Sequence, residues 1–284
     1  LNRGSDDARA WLSEDSGLEP VVVEALLDET TRPRCVPMDE GIMLFLRGVN
    51  LNPGADPEDM VSIRLWIEPR RVVSVRMRRL LSVDDLREAL DRGRGPADVG
   101  DFVARLADRL VARVAGVISD VDDRVDQLQE QLLEAERGQL RIDLTRLRRE
   151  IIALRRYLAP QRDALLRLTQ LKLDWLSTDD VLNLREEADQ VTRFVEDLDA
   201  ARERAAVTQE ELTNRLSEQL NSRMYLLSLV AAVFLPLGFL TGLLGMNVGG
   251  IPLADSPWGF VGVVFALGAV TGFELLFFRW RGWF

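Results

Sequence analysis

Residues 224–247 read MYLLSLVAAVFLPLGFLTGLLGMN, an uncharged segment that closes on the tripeptide Gly245-Met246-Asn247. A second apolar segment, residues 257–278, contains Glu274 as its single charged side chain. Because an α-helix rises about 1.5 Å per residue, about 20 residues cross a hydrocarbon core about 30 Å thick. Both segments are long enough to span a membrane. The sequence therefore predicts a first transmembrane helix over 224–244, a loop over 245–256 and a second transmembrane helix over 257–280.

Basic residues beside the two spans predict their orientation. Two arginines precede the first span and two follow the second, namely Arg215, Arg223, Arg279 and Arg281. The loop between the spans has neither Lys nor Arg. Since cytoplasmic flanks carry the excess of basic residues, we expect both termini, including the tail 281–284, in the cytoplasm and the loop outside.

The composition excludes several classes of function. The chain has one cysteine, Cys35, which rules out an internal disulfide, and it has no histidine, the commonest zinc ligand and general base. A net charge of −10 argues against nucleic acid as a partner and suits a protein that attracts cations. We expect no enzyme activity, no cofactor and no resident metal site that the sequence can assign. The first residue is Leu1 rather than Met, so we expect a longer N-terminus.

Residues 1–177 are predicted to form a mixed α/β domain with a helical hairpin. Residues 11–16 and 20–28 favour helices, and residues 42–49, 61–68 and 71–77 favour strands. Pro69-Arg70 suits a tight turn between the last two strands, so we expect an antiparallel sheet flanked by helices. Ser82 is a candidate N-cap for the helix that follows.

Two long helices are predicted after the sheet, over 97–137 and 139–173, with a bend or interruption at Pro160. Residues 120–136 are mainly acidic and residues 141–162 mainly basic. A break at Gly138 makes the helices antiparallel neighbours, so we expect opposite charges to face each other across the hairpin. The alternative is that the acidic helix senses a divalent cation.

A third long helix is predicted to begin at residue 178, because neither Pro nor Gly occurs between Thr178 and Leu235. Such a helix can run without a break into the first span, over a length on the order of 100 Å. We predict a stalk over 178–223 that continues as the transmembrane helix 224–244.

Ion conduction by this chain requires a homo-oligomer, because two helices cannot enclose a water-filled path. Steps of three or four residues back from Asn247 mark one stripe on the first span. The predicted pore-lining residues of this stripe are Asn221, Met224, Leu227, Ser228, Ala231, Leu235, Gly238 and Gly242. The stripe has no acid that replaces the hydration shell of a divalent cation. We therefore expect a hydrated ion, selected at the outer mouth by the Asn247 amide and the carbonyl groups of Gly245 and Met246.

Three features of the spans have two interpretations each. Gly238 and Gly242, like Gly268 and Gly272, have the GxxxG spacing that permits close helix packing, which is an alternative or an addition to a role in the pore. Glu274 can pair with a basic residue at the inner interface or can relay protons.

This combination of features resembles the CorA superfamily of divalent-cation transporters. The match rests on a cytoplasmic α/β domain, a helical hairpin, a long helix entering the membrane, the motif Gly245-Met246-Asn247 and a second span with a basic tail. Residues 245–252, GMNVGGIP, are similar to the zinc-transporter branch, ZntB, because the Met-Pro-Glu run of the magnesium branch is absent. A pore threonine of the magnesium branch falls at Gly238.

The resemblance implies a funnel-shaped homopentamer in a bacterial inner membrane that transports Zn²⁺, with proton coupling as one mode. It implies that Gly245, Met246 and Asn247 form the selectivity motif and that Met224 and Leu227 form an apolar constriction. A Mg²⁺/Co²⁺/Ni²⁺ channel gated by intracellular metal is the alternative. A non-conducting membrane-tethered scaffold or signalling protein is an alternative of another class.

Overall fold

The computed structural model of the chain describes residues 1–29, 31–132, 137–246, 251 and 256–282. Its contacts divide into two units, Leu1–Leu212 and Thr213–Phe284.

The first unit contains a four-stranded antiparallel sheet whose strands lie in sequence order. The strands are β1 (Arg34–Pro37), β2 (Ile42–Gly48), β3 (Val61–Glu68) and β4 (Arg71–Arg76). The pair Glu68 and Arg71 closes the β3–β4 hairpin, which confirms the predicted turn at residues 69 and 70. The sequence did not indicate β1, because it is short and ends at Pro37.

Short helical segments precede the sheet in the chain. They are α1 (Asp6–Ala10), a π-helical turn (Trp11–Asp15) and α2 (Pro20–Leu27). Apolar side chains from these segments and from the sheet form a buried cluster that includes Leu12, Val22, Leu26, Phe45 and Trp66. The other helices of the unit are α3 (Leu81–Asp91), α4 (Val99–Gln131) and α5 (Arg137–Gln170), and both α4 and α5 contact β2.

The predicted N-cap at Ser82 is wrong. Helix α3 begins at Leu81 after Leu80, so Ser82 lies inside the first turn. Its buried hydroxyl donates to the carbonyl oxygen of Arg109 in α4 at 3.1 Å. The hydroxyl therefore joins two helices instead of capping one, because a partner distant in sequence competes for it.

Helix α5 continues through Pro160 without an interruption. Buried side chains on both sides of the proline, Leu158 and Ala164 among them, keep this helix packed against the unit. Proline removes one intrahelical hydrogen bond, and burial of the apolar face is sufficient here to maintain the helix.

The third long helix, α6, spans Thr178–Leu244 and passes through Pro236. Its start has a reciprocal cap, because the amide of Asp180 donates to the Ser177 hydroxyl and the amide of Ser177 donates to the Asp180 carboxylate, both at 3.1 Å. The structure confirms that one helix connects residue 178 with the predicted first span. The last helix, α7, spans Gly259–Trp280.

The charges of α4 and α5 pair differently from the prediction. Among the described residues, the ion pair that joins these two helices is Arg124–Glu150, in which each residue carries the minority charge of its own helix. The acidic run of α4 is instead paired with α6, because Arg204 donates to Asp122 and to Asp126 at 2.5 Å each.

The basic helix α5 also directs its charge to α6. Arg155 donates to both carboxylate oxygens of Asp199, at 2.6 and 3.0 Å, and Arg148 donates to the side-chain oxygen of Gln209 at 2.5 Å. The charge matching expected across the hairpin therefore runs through the third long helix, whose side chains lie within reach of both neighbours.

Candidate ion pathway

The second unit contains the C-terminal part of α6 and all of α7, and both helices are candidate membrane spans by length and composition. The apolar run in α6 covers residues 224–244, and α7 begins two residues later than the predicted second span. The predicted pore-lining residues all lie on α6, and the loop motif follows directly from its end.

The predicted stripe has no covering contact from its own chain in the part that the structure describes. Its eight members, Asn221, Met224, Leu227, Ser228, Ala231, Leu235, Gly238 and Gly242, are all exposed. Leu227 is 70% and Leu235 73% exposed. Large apolar side chains at such exposure need lipid or another protein surface to cover them. The structure thus brings these residues to one free face.

From residue 229 to residue 244 the side of the helix opposite the stripe is partly covered, whereas residues 221–228 are exposed on all sides. Its half-buried residues are Leu229, Ala232, Val233, Pro236, Leu237, Leu240 and Leu244. At 3.6 residues per turn, these positions lie roughly opposite the exposed stripe. Residues 229–244 therefore have two distinct faces, and the predicted stripe lies on the exposed one.

The C-terminal end of α6 is closed by a backbone hydrogen bond from the amide of Gly245 to the carbonyl oxygen of Thr241, at 2.9 Å. Gly245 and Met246 lie directly after the helix, and both are exposed. Asn247, the predicted amide ligand, lies outside the described residues, as do 248–250 and 252–255. Its role in selectivity stays a prediction.

Thr241 has an exposed hydroxyl group, and it is not among the residues that the sequence predicted to line the pore. Its hydroxyl donates to the carbonyl oxygens of Leu237 at 2.9 Å and Gly238 at 3.1 Å. It lies at the edge of the stripe, one turn before Gly245. The helical steps counted back from Asn247 did not include Thr241. A hydroxyl group in an otherwise apolar span could nevertheless have indicated it.

The glycines of both GxxxG pairs have open space where a side chain would begin, within the described part of the chain. A Cβ atom added at Gly238, Gly242, Gly268 or Gly272 would meet no atom within 4 Å outside the local helix backbone. The close helix approach that the GxxxG spacing permits is therefore not made at these positions within the described residues, and it stays a prediction.

Glu274 lies on the partly covered face of α7. The other members of this face are Val263, Leu267, Val270, Thr271 and Phe278. Within the described residues, the Oε2 atom of Glu274 is buried and has no hydrogen-bond partner, and no ion pair joins its carboxylate to Arg279. The predicted pairing with Arg279 is therefore absent from this part of the chain.

One further carboxyl group, in the first unit, has an unusual environment. Glu187 of α6 is 9% exposed, and its Oε2 atom has no hydrogen-bond partner among the described residues. Burial, together with the negative charges of Asp108 and Glu186, raises the pKa of Glu187 to about 7. In the sequence, its burial was indicated by its position beside Leu184 and Ala188, on the apolar face of the helix.

The predicted cation sensor on the acidic helix has no metal cluster among the described residues. No group of three or more Cys, Asp or Glu side chains there is arranged to hold a metal ion. Asp122 and Asp126 share Arg204 as described above, and burial raises the pKa of Asp122. The salt-bridged interpretation of this helix is therefore the one that the contacts support.

Comparison with known proteins gives a consistent class. Residues 1–280 match the family model described as "CorA-like Mg2+ transporter protein". The chain is 44% identical over 284 residues to the divalent cation transporter CmaX of Pseudomonas aeruginosa, which covers 99% of this chain and 86% of that protein. It is 39% identical over 253 residues to the zinc transport protein ZntB of Pectobacterium atrosepticum, which covers 88% and 76%, respectively.

A solved structure shows the same fold. The CorA magnesium transporter from Methanocaldococcus jannaschii superposes with a TM-score of 0.85 and covers 100% of this chain and 90% of that one. The sequence identity is 17%, so this similarity shows the fold alone.

These similarities, with two candidate spans and an uncovered stripe on the first of them, define a membrane transporter of divalent cations of the CorA/ZntB type. The chain belongs to the family of CorA-like Mg²⁺ transporters. The relatives are transporters, which confirms the expectation that the chain is not an enzyme.

Proposed function

We propose that the chain transports Zn²⁺ across a bacterial inner membrane as a homopentamer, with both termini in the cytoplasm and one copy of α6 from each subunit around a central pathway. The observation that carries this proposal is the uncovered face of α6, which runs from Asn221 to Gly242 and leads to Gly245 and Met246. A face with two large side chains more than two-thirds exposed is suited to an assembly of several copies.

The chemistry of this face favours passage of a hydrated ion. Between Asn221 and Gly242 it presents apolar and small side chains with one hydroxyl, Ser228, and no carboxylate. Such a surface cannot supply the several oxygen ligands that would replace the hydration shell of a divalent cation. Selection then occurs at the mouth, where carbonyl groups of Gly245 and Met246 and the amide of Asn247 supply oxygen. The net charge of −10 concentrates cations near the protein.

Two similarities support zinc as the ion. Relatives at 38 and 39% identity bear the name zinc transport protein. Residues 245–252 lack the glutamate of the magnesium branch. Because the chain has no histidine and a single buried cysteine, Cys35, the proposal requires Zn²⁺ to pass with its water shell. The second candidate, a Mg²⁺/Co²⁺/Ni²⁺ channel, is favoured by the family description and by the CorA fold.

Proton coupling through Glu274 is part of the proposal. Glu274 is the single charged side chain of residues 257–278, it is half-buried, and its Oε2 atom has no hydrogen-bond partner in the described part of the chain. An acid held inside a membrane segment without a counter-charge is suited to exchange a proton.

The decisive experiment is metal flux into liposomes that contain the purified protein, with Zn²⁺ and Mg²⁺ compared at two proton gradients. Zn²⁺ flux that increases with the gradient supports the proposal. Flux of Mg²⁺ alone selects the second candidate. Loss of flux for every divalent ion tested would leave the non-conducting scaffold as the better interpretation.

Two variants test the named residues in the same assay. Asn247→Ala should alter the Zn²⁺ to Mg²⁺ preference without changing the oligomeric state, whereas Asn214→Ala, an exposed position of α6 outside the stripe, should not. Glu274→Gln should remove the dependence of flux on the proton gradient, with Glu218→Gln as the matched control. An unchanged ion preference or an unchanged gradient dependence removes the corresponding role.

A further inference from the structure

A cavity of about 150 Å³ lies beside the sheet of the first unit, and its charged lining is mainly basic. Four arginines converge on it from separate segments: one near the start of the chain, one on β2, one on β3 and one just after β4. Its charged lining residues are Arg3, Glu29, Arg47, Asp59, Arg64 and Arg78. We call this the arginine cavity. Its excess of positive charge contrasts with the chain's net charge of −10.

Two of these arginines are buried, and only some of their guanidinium N–H groups have a hydrogen-bond acceptor. Arg3 is 7% and Arg64 5% exposed. Each donates to the end of α2, because Arg3 Nη1 lies 2.7 Å from the carbonyl oxygen of Asp28 and Arg64 Nη1 lies 2.8 Å from that of Leu26. These bonds satisfy carbonyl groups at the end of the helix, and they use only some of the N–H donors of each guanidinium. The Nε atoms of Arg3, Arg47 and Arg64 are buried without a hydrogen-bond partner among the described residues.

The positive charge of the cavity is under-compensated. Asp59 pairs with Arg78, but no ion pair within 4.0 Å is made by Arg3, Arg47 or Arg64 in the described part of the chain. Burial, together with repulsion from Arg3, lowers the pKa of Arg64 to about 10, and the charge of Asp28 opposes this shift. Arg47 donates to the carbonyl oxygens of Met60 at 2.6 Å and Thr31 at 2.8 Å. Its guanidinium also lies 3.9 Å from the ring centroid of Tyr157.

We propose that the arginine cavity binds a phosphate group, either inorganic phosphate or the phosphate of a small soluble metabolite. Guanidinium N–H groups match phosphate oxygens in geometry and charge, and a multiply charged oxyanion neutralises several of them at once. The volume restricts the ligand to a small group, since pockets that enclose drug-sized molecules measure about 300–1,000 Å³. The site is independent of the transport proposal, because every residue in it belongs to the first unit.

The test is calorimetric titration of the full chain, in nanodiscs, with inorganic phosphate at constant ionic strength. We expect saturable binding of one phosphate per chain. Arg78→Gln removes one charged donor while keeping the buried arginines in place, so the Kd should rise about tenfold. Asp59→Asn removes the competing carboxylate, so the Kd should fall. Arg92→Gln, an exposed arginine paired with Glu88 outside the cavity, should leave the Kd unchanged.

The tightening by Asp59→Asn separates the proposal from a loss of structure, because an unfolded or distorted cavity would not bind more strongly. Glycerol phosphate serves as a second ligand. Tighter binding of glycerol phosphate than of phosphate assigns the site to a metabolite, and the reverse order assigns it to the free ion. Absence of saturable binding, equal Kd values in wild type and both cavity variants, or equal competition by chloride would overturn the proposal.

Discussion

Replacing Glu187 with Gln should stabilise the first unit at neutral pH and above. In the folded chain this carboxyl group is buried, its Oε2 atom lacks a hydrogen-bond partner among the described residues, and its pKa is raised from 4.5 to about 7. The unfolded chain has no such environment. Folding at pH 8 must therefore place a negative charge where burial and the charge of Asp108 oppose it.

The sign and size of the effect follow from the two pKa values. Below pH 4.5 the group is neutral in both states and has no cost. Between pH 4.5 and about 7 the unfolded chain loses the proton while the folded chain keeps it, so stability falls as pH rises. Above pH 7 the full cost applies, on the order of 3 kcal/mol at about 1.4 kcal/mol per pKa unit. Glu187→Gln removes this cost.

The measurement is thermal unfolding of the full chain in detergent, followed by circular dichroism from pH 4.5 to 8. Each kcal/mol should change Tm by about 2–4 °C in a unit of this size. The Tm of the wild type should fall as pH rises, whereas the Tm of Glu187→Gln should fall less. Glu196→Gln, an exposed acid on the same helix, is the control and should follow wild type. Parallel pH profiles for wild type and Glu187→Gln would refute the reasoning.

Three further predictions concern the same unit. Arg204→Gln should lower the free energy of unfolding by only about 1 kcal/mol, because the ion pairs of Arg204 are partly exposed and therefore screened. This loss should be smaller at high salt. An equally large loss with the exposed control Arg202→Gln would contradict the prediction. Cys35, which is buried and whose pKa burial raises to about 11, should react with maleimide at pH 7 far more slowly in the native chain than in denaturant, and equal rates would show an accessible thiol. Phe45→Ala should cost about 3–5 kcal/mol in chemical denaturation, since the ring is 1% exposed within the sheet core; a cost below about 1 kcal/mol would mean that the core closes over the cavity.

Local patterns were sufficient to predict most of the backbone. The alternation in residues 61–68 and 71–77 predicted the hairpin β3–β4, and the absence of Pro and Gly from residues 179 to 234 predicted α6. These signals act over one or two turns or strand pairs, so they can be read without knowledge of the tertiary structure.

Partners distant in sequence were not predictable in the same way. The Ser82 hydroxyl was expected to cap its own helix, yet its acceptor is Arg109, 27 residues later. Arg204 reaches Asp122 across 82 positions, and nothing local distinguishes it from other arginines of the helix. Burial of Glu187 likewise depends on which helices surround α6. The stripe on α6 was predictable because it depends only on helical period, whereas the surroundings of Asn247 lie outside the described residues.

The empty space beside the membrane glycines makes them reporter positions. A cysteine at 238 or 242 on α6, or at 268 or 272 on α7, would have a Cβ atom that meets nothing from its own chain among the described residues. A spin label there would sense other copies or lipid rather than an internal contact. Pulsed dipolar spectra of singly labelled chains would then report subunit number through the set of inter-label distances. The relaxation of labels by a water-soluble paramagnet would separate the helix face that meets water from the face that meets hydrocarbon.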